Sequence, residues 1–221
     1  MKLQLLSILA ASALFAACQG APKADEATVG EAQEVKTAGG DTYPADLAQS
    51  TVEFTGTKPV GQHHGKFMLK EGNLKIDGQN ITGGRFVVDV SSMKIVDKDT
   101  AGTSMLAGHL SSPDFFDVQK YPTAVFEITA VTAGAPAAKD GEKLMMQDAT
   151  HTITGNLTLK DTTRSITFPA KVAMANGQVT ADANFNIDRT QWHMVYGNDK
   201  GLGDKFIRPE VNMVLHLVAK K

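Results

Sequence analysis

The sequence predicts an all-β fold, a closed antiparallel barrel of about eight strands with one short helix near 103–112 between its halves. Three observations carry this. Apolar residues alternate with polar ones through most of the chain after Tyr43, turn-forming dipeptides separate the alternating runs, and a single segment switches to helical spacing. Strict alternation places one face of each strand in the interior and the other in water.

The runs follow in order. Val52 and Phe54 share a face, then Phe67 and Leu69, then Leu74 and Ile76, then Phe86, Val88 and Val90. After a break come Ala124, Phe126 and Ile128, and next Ile153, Leu157 and Leu159, with Thr152, Thr154 and Thr158 opposite. Ile166 and Phe168 continue the series, Val179 to Ile187 forms a long alternating run, and Val211, Met213, Leu215 and Leu217 complete it. Between them lie Glu71-Gly72-Asn73, Asp77-Gly78, Gly83-Gly84 and Asn176-Gly177, the last being the clearest hairpin signal. In Thr103–Ser112, Met105, Leu106, His109 and Leu110 recur at helical spacing, which predicts a short helix or lid. No fixed-period repeat points to a propeller or solenoid.

The N-terminal region reads differently. Met1-Lys2 precedes an almost wholly apolar stretch from Leu3 to Ala17, shorter than the roughly 20 residues that span a bilayer. It has the layout of a secretory signal, over residues 1–17. Leu14-Phe15-Ala16-Ala17-Cys18 resembles the lipobox of bacterial lipoproteins, with Phe15 where Leu is usual. The resemblance implies lipid attachment at Cys18, the only cysteine, so no intramolecular disulfide is expected. By resemblance to enterobacterial sorting signals, Gln19 after the cysteine implies an outer-membrane anchor facing the periplasm. Residues 18–42, poor in large apolar side chains, are expected to be a flexible tether, and 43–221 the barrel domain.

Net charge is −2, and no basic stripe or binding motif supports a nucleic-acid partner. No enzyme signature stands out. The chain lacks a G-x-S-x-G elbow, its one cysteine is assigned to the anchor, and Gly83-Gly84 runs into a strand rather than a phosphate-cradling helix. Asp114, Asp117 and Asp188 could form acid–base pairs, but helix-end and turn roles account for them better. His63 and His64 are adjacent on a strand and point to opposite faces, so they do not jointly chelate a metal, and no zinc-ligand spacing is present. No catalytic residue, metal or cofactor is assigned.

Several ordered motifs resemble the YceI-like, polyisoprenoid-binding family over about 43–220: Tyr43-x-x-Asp46-x-x-x-Ser50, Gly65-Lys66-Phe67, His109 to Asp117 followed by Tyr121-Pro122-x-x-x-Phe126, Gly155 to Lys160 with Thr163-Arg164, Arg189-Thr190-x-Trp192, and Gly203-Asp204-x-Phe206-Ile207. The resemblance implies a lipocalin-like extended barrel enclosing an isoprenoid or similar chain, with no catalytic activity. Gln49, Leu106-Ala107 and Asp161 depart from the family pattern, which implies a different head group if those positions meet the ligand.

The expected apolar site comprises Phe54, Phe67, Phe86, Met105, Leu110, Phe115, Phe126 and Phe168, with His63, His64, Lys66, Arg85 and His109 as a polar rim. Met68, Met145, Met146, Met174, Met194 and Met213 are further candidates for an adaptable lining. The expected ligand is a polyisoprenoid, an isoprenoid quinone or a related amphiphile, sequestered or ferried without a covalent step. The alternative is a structural or stress-related envelope protein with a filled barrel and a protein partner. A homodimer is a further expectation, since barrels of this kind pair, although no self-complementary patch specifies it.

Overall fold

A computed structural model describes residues 20–97, 102–137 and 143–221. The expected signal segment and Cys18 lie outside the described residues. Eight strands form a closed antiparallel barrel. Three short strands precede them: β1 (Asp25–Glu26), β2 (Thr28–Glu31) and β3 (Asp41–Pro44). The barrel itself is β4 (Thr51–Thr57), β5 (Gln62–Asp77), β6 (Asn80–Ile95), β7 (Thr123–Ala133), β8 (His151–Leu159), β9 (Thr162–Ala175), β10 (Gln178–Asp188) and β11 (Glu210–Lys220). Sequence neighbours pair throughout, and β11 returns to β4 from Val211↔Gly56 to His216↔Thr51.

Of the expected turns, Asp77-Gly78 and Asn176-Gly177 close hairpins, whereas Glu71-Gly72-Asn73 and Gly83-Gly84 lie inside β5 and β6 and pair with the neighbouring strand. Ala175 faces Gln178 across a two-residue loop in which Asn176 (φ 52°) and Gly177 (φ 72°) both take the left-handed conformation. This is the geometry that an Asn-Gly pair favours in a tight hairpin. The sixteen-residue β5 and β6 would be too long for a flat sheet to curl. Their ladder shifts register between Lys66 and Met68 and again between Leu69 and Glu71, and such bulges bend and twist a sheet.

Helix α1 (Thr103–Ser111) lies between β6 and β7, as its spacing predicts. It shares one barrel end with the β4–β5 turn, the β8–β9 turn and the long β10–β11 connection, because Gly56 pairs with Val211 and Gly65 with Ile95. That connection holds two 3-10 turns, Arg189–Trp192 and Lys200–Lys205. Asp188 caps the first, accepting from the Thr190 amide at 2.9 Å, and Asp114 reaches back to His109 on α1 at 3.2 Å.

The flexible tether expected over 18–42 is not what the described residues show. β9 and β10 pair only near their shared turn, from Gln178↔Ala175 to Asp182↔Lys171. Beyond that point each strand presents an unpaired edge, and the N-terminal segment occupies both. β1 runs parallel to Phe185–Asn186, and β2 runs antiparallel to Arg164–Thr167. The chain then passes Asn156 and joins the edge of β5 as β3, Asp41 opposite Ile76 and Pro44 opposite Asn73. Residues 25–44 are therefore a strap around the barrel. An open sheet edge leaves backbone donors and acceptors unmet, and pairing a passing segment satisfies them without apolar periodicity in that segment.

Candidate ligand cavity

The barrel interior is not filled. A cavity of 490 Å³ runs through it, lined mainly by aliphatic and aromatic side chains from all eight barrel strands. Phe54, Phe67, Phe86, Leu110, Phe115, Phe126 and Phe168 line it, together with Met194 and Met213. Met105 does not. It is 81% exposed on the outer side of α1, whereas Leu106, His109 and Leu110 face the cavity. Leu106, His109 and Leu110, spaced i, i+3 and i+4, share the inward stripe of the helix, and Met105 lies about 100° around the axis from Leu106, off the centre of that stripe. Met68 and Met145 are also exposed.

The interior stays open because several phenyl rings lie back on the barrel wall. A Cβ on Gly65 would stand 2.3 Å from Phe54 Cζ, one on Gly72 2.5 Å from Phe86 Cδ1, and one on Gly155 2.4 Å from Phe126 Cζ. Each ring occupies the space that a side chain on the neighbouring strand would take, since Phe54 pairs with Gly65 and Phe86 with Gly72. The rings also support one another. Phe54 stacks on Phe67 with centroids 5.2 Å apart, and Phe168 stacks on Phe185 at 4.1 Å.

The mouth is built from the β4–β5 turn, α1 and the β10–β11 connection. Arg189, 4% exposed, organises it. Its guanidinium donates to the carbonyls of Met194, Tyr196 (2.9 Å), Ile207 (3.0 Å) and Arg208 (3.2 Å). Burial pulls this guanidinium below its usual range while Asp188 and Glu210 act in the opposite direction, and an arginine remains charged. Its N–H donors are committed to holding the loop. The ring of His109 meets Tyr196 edge-on at 4.7 Å and Phe115 at 5.1 Å.

The expected polar rim divides in two. His63 and His109 line the cavity. His63 Nδ1 lies 2.7 Å from Asp97, whose other oxygen accepts from the His64 amide at 2.7 Å. Burial works to raise the Asp97 carboxyl, but the His64 amide and the His63 side chain outweigh it and hold it below the usual carboxylate range. His64, Lys66 and Arg85 do not border the cavity. His64 bonds Thr55 Oγ1 at 2.9 Å, Lys66 is exposed, and Arg85 pairs with Glu71 at 2.8 Å. Lys66 and Arg85 each neighbour an inward phenylalanine, so strand alternation turns them outward. The mouth instead carries Lys58, Lys205 and Arg208, beside Thr57 and Tyr196. None of these lies in an alternating run except Thr57, and only Arg189 had a sequence signal, its place before Trp192. Among the described residues, no three His, Cys, Asp or Glu side chains gather in a way that could hold a metal ion.

The YceI-like domain family matches residues 43–219. The chain belongs to the YceI-like family. Among curated relatives, a UPF0312 protein of Pseudomonas aeruginosa (strain LESB58) is 33% identical over 109 residues, covering 49% of this chain and 48% of that protein. A UPF0312 protein of Pseudomonas putida (strain W619) is likewise 33% identical, over 107 residues. The chain thus spans about half the length of the curated relatives it matches. Among solved structures, Burkholderia cenocepacia BcnA is 26% identical with a TM-score of 0.61, covering 80% of this chain and 99% of that one. A polyisoprenoid binding domain from Saccharophagus degradans, implicated in plant cell wall breakdown, has a TM-score of 0.59 at 13% identity, covering 80% and 97%. This YceI-like barrel shares their fold.

Proposed function

We propose that the protein binds an apolar chain, an isoprenoid or similar lipid, inside the barrel and sequesters or carries it in the cell envelope without altering it covalently. The observation that carries this reading is the 490 Å³ cavity with its aromatic and aliphatic lining. Burying a chain of about 20 carbons is worth on the order of 15 kcal/mol gross, at roughly 0.8 kcal/mol per methylene. Lost ligand freedom offsets much of this, and what is left favours the barrel over water for a molecule that water rejects. The open interior weighs against the filled-barrel alternative.

The reading includes a lipid anchor at Cys18 in the outer membrane, facing the periplasm. Several acyl chains would make that attachment durable where one would be marginal. Organic extraction and mass spectrometry of protein purified from its own envelope tests the carrier reading, with a lipid present near one per chain as the expected result. Protein free of lipid, and unable to take up any, would overturn it. The mass of the mature N-terminal peptide tests the anchor separately, because an unmodified Cys18 leaves the cavity untouched.

A further inference from the structure

We infer that the open end of the barrel is a bilayer-docking surface, so that the protein sits mouth-down on the membrane that holds its anchor. This goes beyond the carrier reading and draws one of its two supports from the anchor reading above.

The first support is the chemistry of the rim. Val60, Val96, Met105, Val195, Tyr196 and Leu202 lie at this end, each between 45% and 81% exposed. They come from the β4–β5 turn, the residue after β6, α1 and the β10–β11 connection. These segments form one continuous rim. His63 on β5 meets Asp97 after β6 at 2.7 Å, the Arg208 amide donates to the Thr57 carbonyl at 3.0 Å, and the rings of His109 and Tyr196 lie 4.7 Å apart. The tight turns of the opposite end, Asp77-Gly78-Gln79 and Asn176-Gly177, are polar. Among the described residues, the other exposed large apolar side chains are dispersed over the strap, the outer wall and other connections. Exposed apolar side chains gathered on one surface mark a contact with an apolar partner or phase.

The second support is where the chain leaves the barrel. The Pro22 carbonyl accepts from Asn186 Nδ2 at 3.2 Å, and Ala21 and Pro22 border an outer pocket with Arg208 and Glu210. Asn186 lies two residues before the mouth end of β10, and Glu210 begins β11 at that end. Cys18 is three residues before Ala21, a reach of at most about 11 Å. On the anchor reading, acyl chains at Cys18 therefore enter the bilayer beside the mouth, and the anchor brings a membrane, rather than a protein, to this rim. Lys58, Lys200 and Lys205 are balanced on the same segments by Asp97, Asp199 and Asp204, so the apolar side chains carry the contact. Because these segments also frame the cavity mouth, an apolar chain passes between acyl layer and cavity without crossing water.

Nitroxide accessibility on the acylated chain in phosphatidylcholine vesicles tests this. Acylation consumes the thiol of the only cysteine, so Val60→Cys, Met105→Cys, Leu202→Cys and, at the far end, Gln79→Cys each provide one labelling site. Labels at the first three positions should be reached by oxygen and shielded from a water-soluble nickel complex, while the label at Gln79 stays in water. The unacylated Cys18→Ser chain should float with the same vesicles through the rim alone. Val60→Asp, Met105→Asp and Leu202→Asp together should weaken that binding about tenfold or more, with the unfolding transition unchanged. Admixed phosphatidylglycerol should change it less than about threefold, since the rim charges balance. Rim labels exposed to water on vesicles, a shielded label at Gln79, a Cys18→Ser chain that does not float, or flotation that requires phosphatidylglycerol or survives the three aspartates would overturn the proposal. Rim labels shielded without vesicles, and close to those of a second chain, would assign the rim to a dimer contact and overturn it as well. An unmodified Cys18 in the mature peptide removes the anchor reading alone, and flotation of the Cys18→Ser chain then decides the rim. None of these results depends on a lipid inside the barrel, so the carrier reading stands or falls separately.

Discussion

Asn156 and Gln33 bond each other in both directions: the Gln33 amide donates to Asn156 Oδ1 at 2.9 Å, and Asn156 Nδ2 donates to the Gln33 carbonyl at 2.7 Å. One side chain on β8 thus imitates the edge of a strand and continues the pairing of the strap beyond β2. Asn156 is 6% exposed, so its amide has no ready alternative in water. Asn156→Ala should cost about 1–3 kcal/mol through the strap groups left unmet. Hydrogen exchange should accelerate over residues 25–33 before the rest of the barrel opens. Uniform exchange at parent rates would show that the strap is held elsewhere.

The glycine-backed phenylalanines make cavity volume adjustable from the wall. At Gly65 the obstacle to a methyl group is the Phe54 ring, with the nearest backbone atom, the Lys94 carbonyl, at 3.2 Å. Gly65→Ala should fold, at a cost of roughly 1–3 kcal/mol for overpacking, and should push Phe54 into the cavity. Titration with hexadecanoate should then show weaker binding, and Phe54→Ala in the same chain should restore it. If the two changes act independently, with no restoration, the ring is not the element displaced.

Much of the barrel is legible in the sequence because an inward position on a strand has to be apolar. Phe54, Phe67, Phe86, Phe126 and Phe168 declare their faces by alternation, and Asn176-Gly177 declares its turn. The same alternation places Lys66 and Arg85 on the outer wall, since each adjoins an inward phenylalanine. Sequence proximity to the cavity is not orientation toward it. The strap carries no such mark, because it is held by backbone pairing and by Asn156 and Asn186, which have no period. Hollowness is also hidden, since it depends on cross-strand register that sets Gly65 beneath Phe54 and Gly72 beneath Phe86. Arg189 lies just past a strand, and its four carbonyl acceptors are assembled only when the β10–β11 connection folds back.

Asp97 should give the mouth a pH-dependent share of its stability. Its carboxyl titrates below the usual carboxylate range, through the His64 amide and His63 acting against burial. A depressed carboxylate contributes stability at pH above its unfolded value, and that contribution is lost as pH falls through the folded value. Asp97→Asn should therefore lower stability by about 1–2 kcal/mol at neutral pH, where the charge-assisted bonds are intact. The gap from the parent should close as pH falls through the lowered range in which the parent carboxyl takes up its proton. Denaturant unfolding of both proteins across this range checks the sign. A gap that widens in acid would mean that Asp97 is not the group involved.

Arg189 is the point on which the mouth depends most, and lysine should not replace it. Its planar guanidinium presents several donors in fixed directions and reaches the carbonyls of Tyr196, Ile207 and Arg208 as well as that of Met194. An ammonium offers three donors from a single point and cannot span acceptors spread over that stretch of chain. Arg189→Lys retains the positive charge and still leaves carbonyls unmet, each worth about 1–3 kcal/mol when buried. The loss should be at least about 2 kcal/mol, close to that of Arg189→Met, because the effect resides in geometry rather than charge. Limited proteolysis should report it first as cleavage between Val195 and Lys205, while the barrel strands stay protected. Edge-on packing of Tyr196 against His109 should fail together with the loop, so ligand release should quicken in both variants. A lysine variant as resistant to protease and as stable as the parent would mean that charge alone holds the mouth.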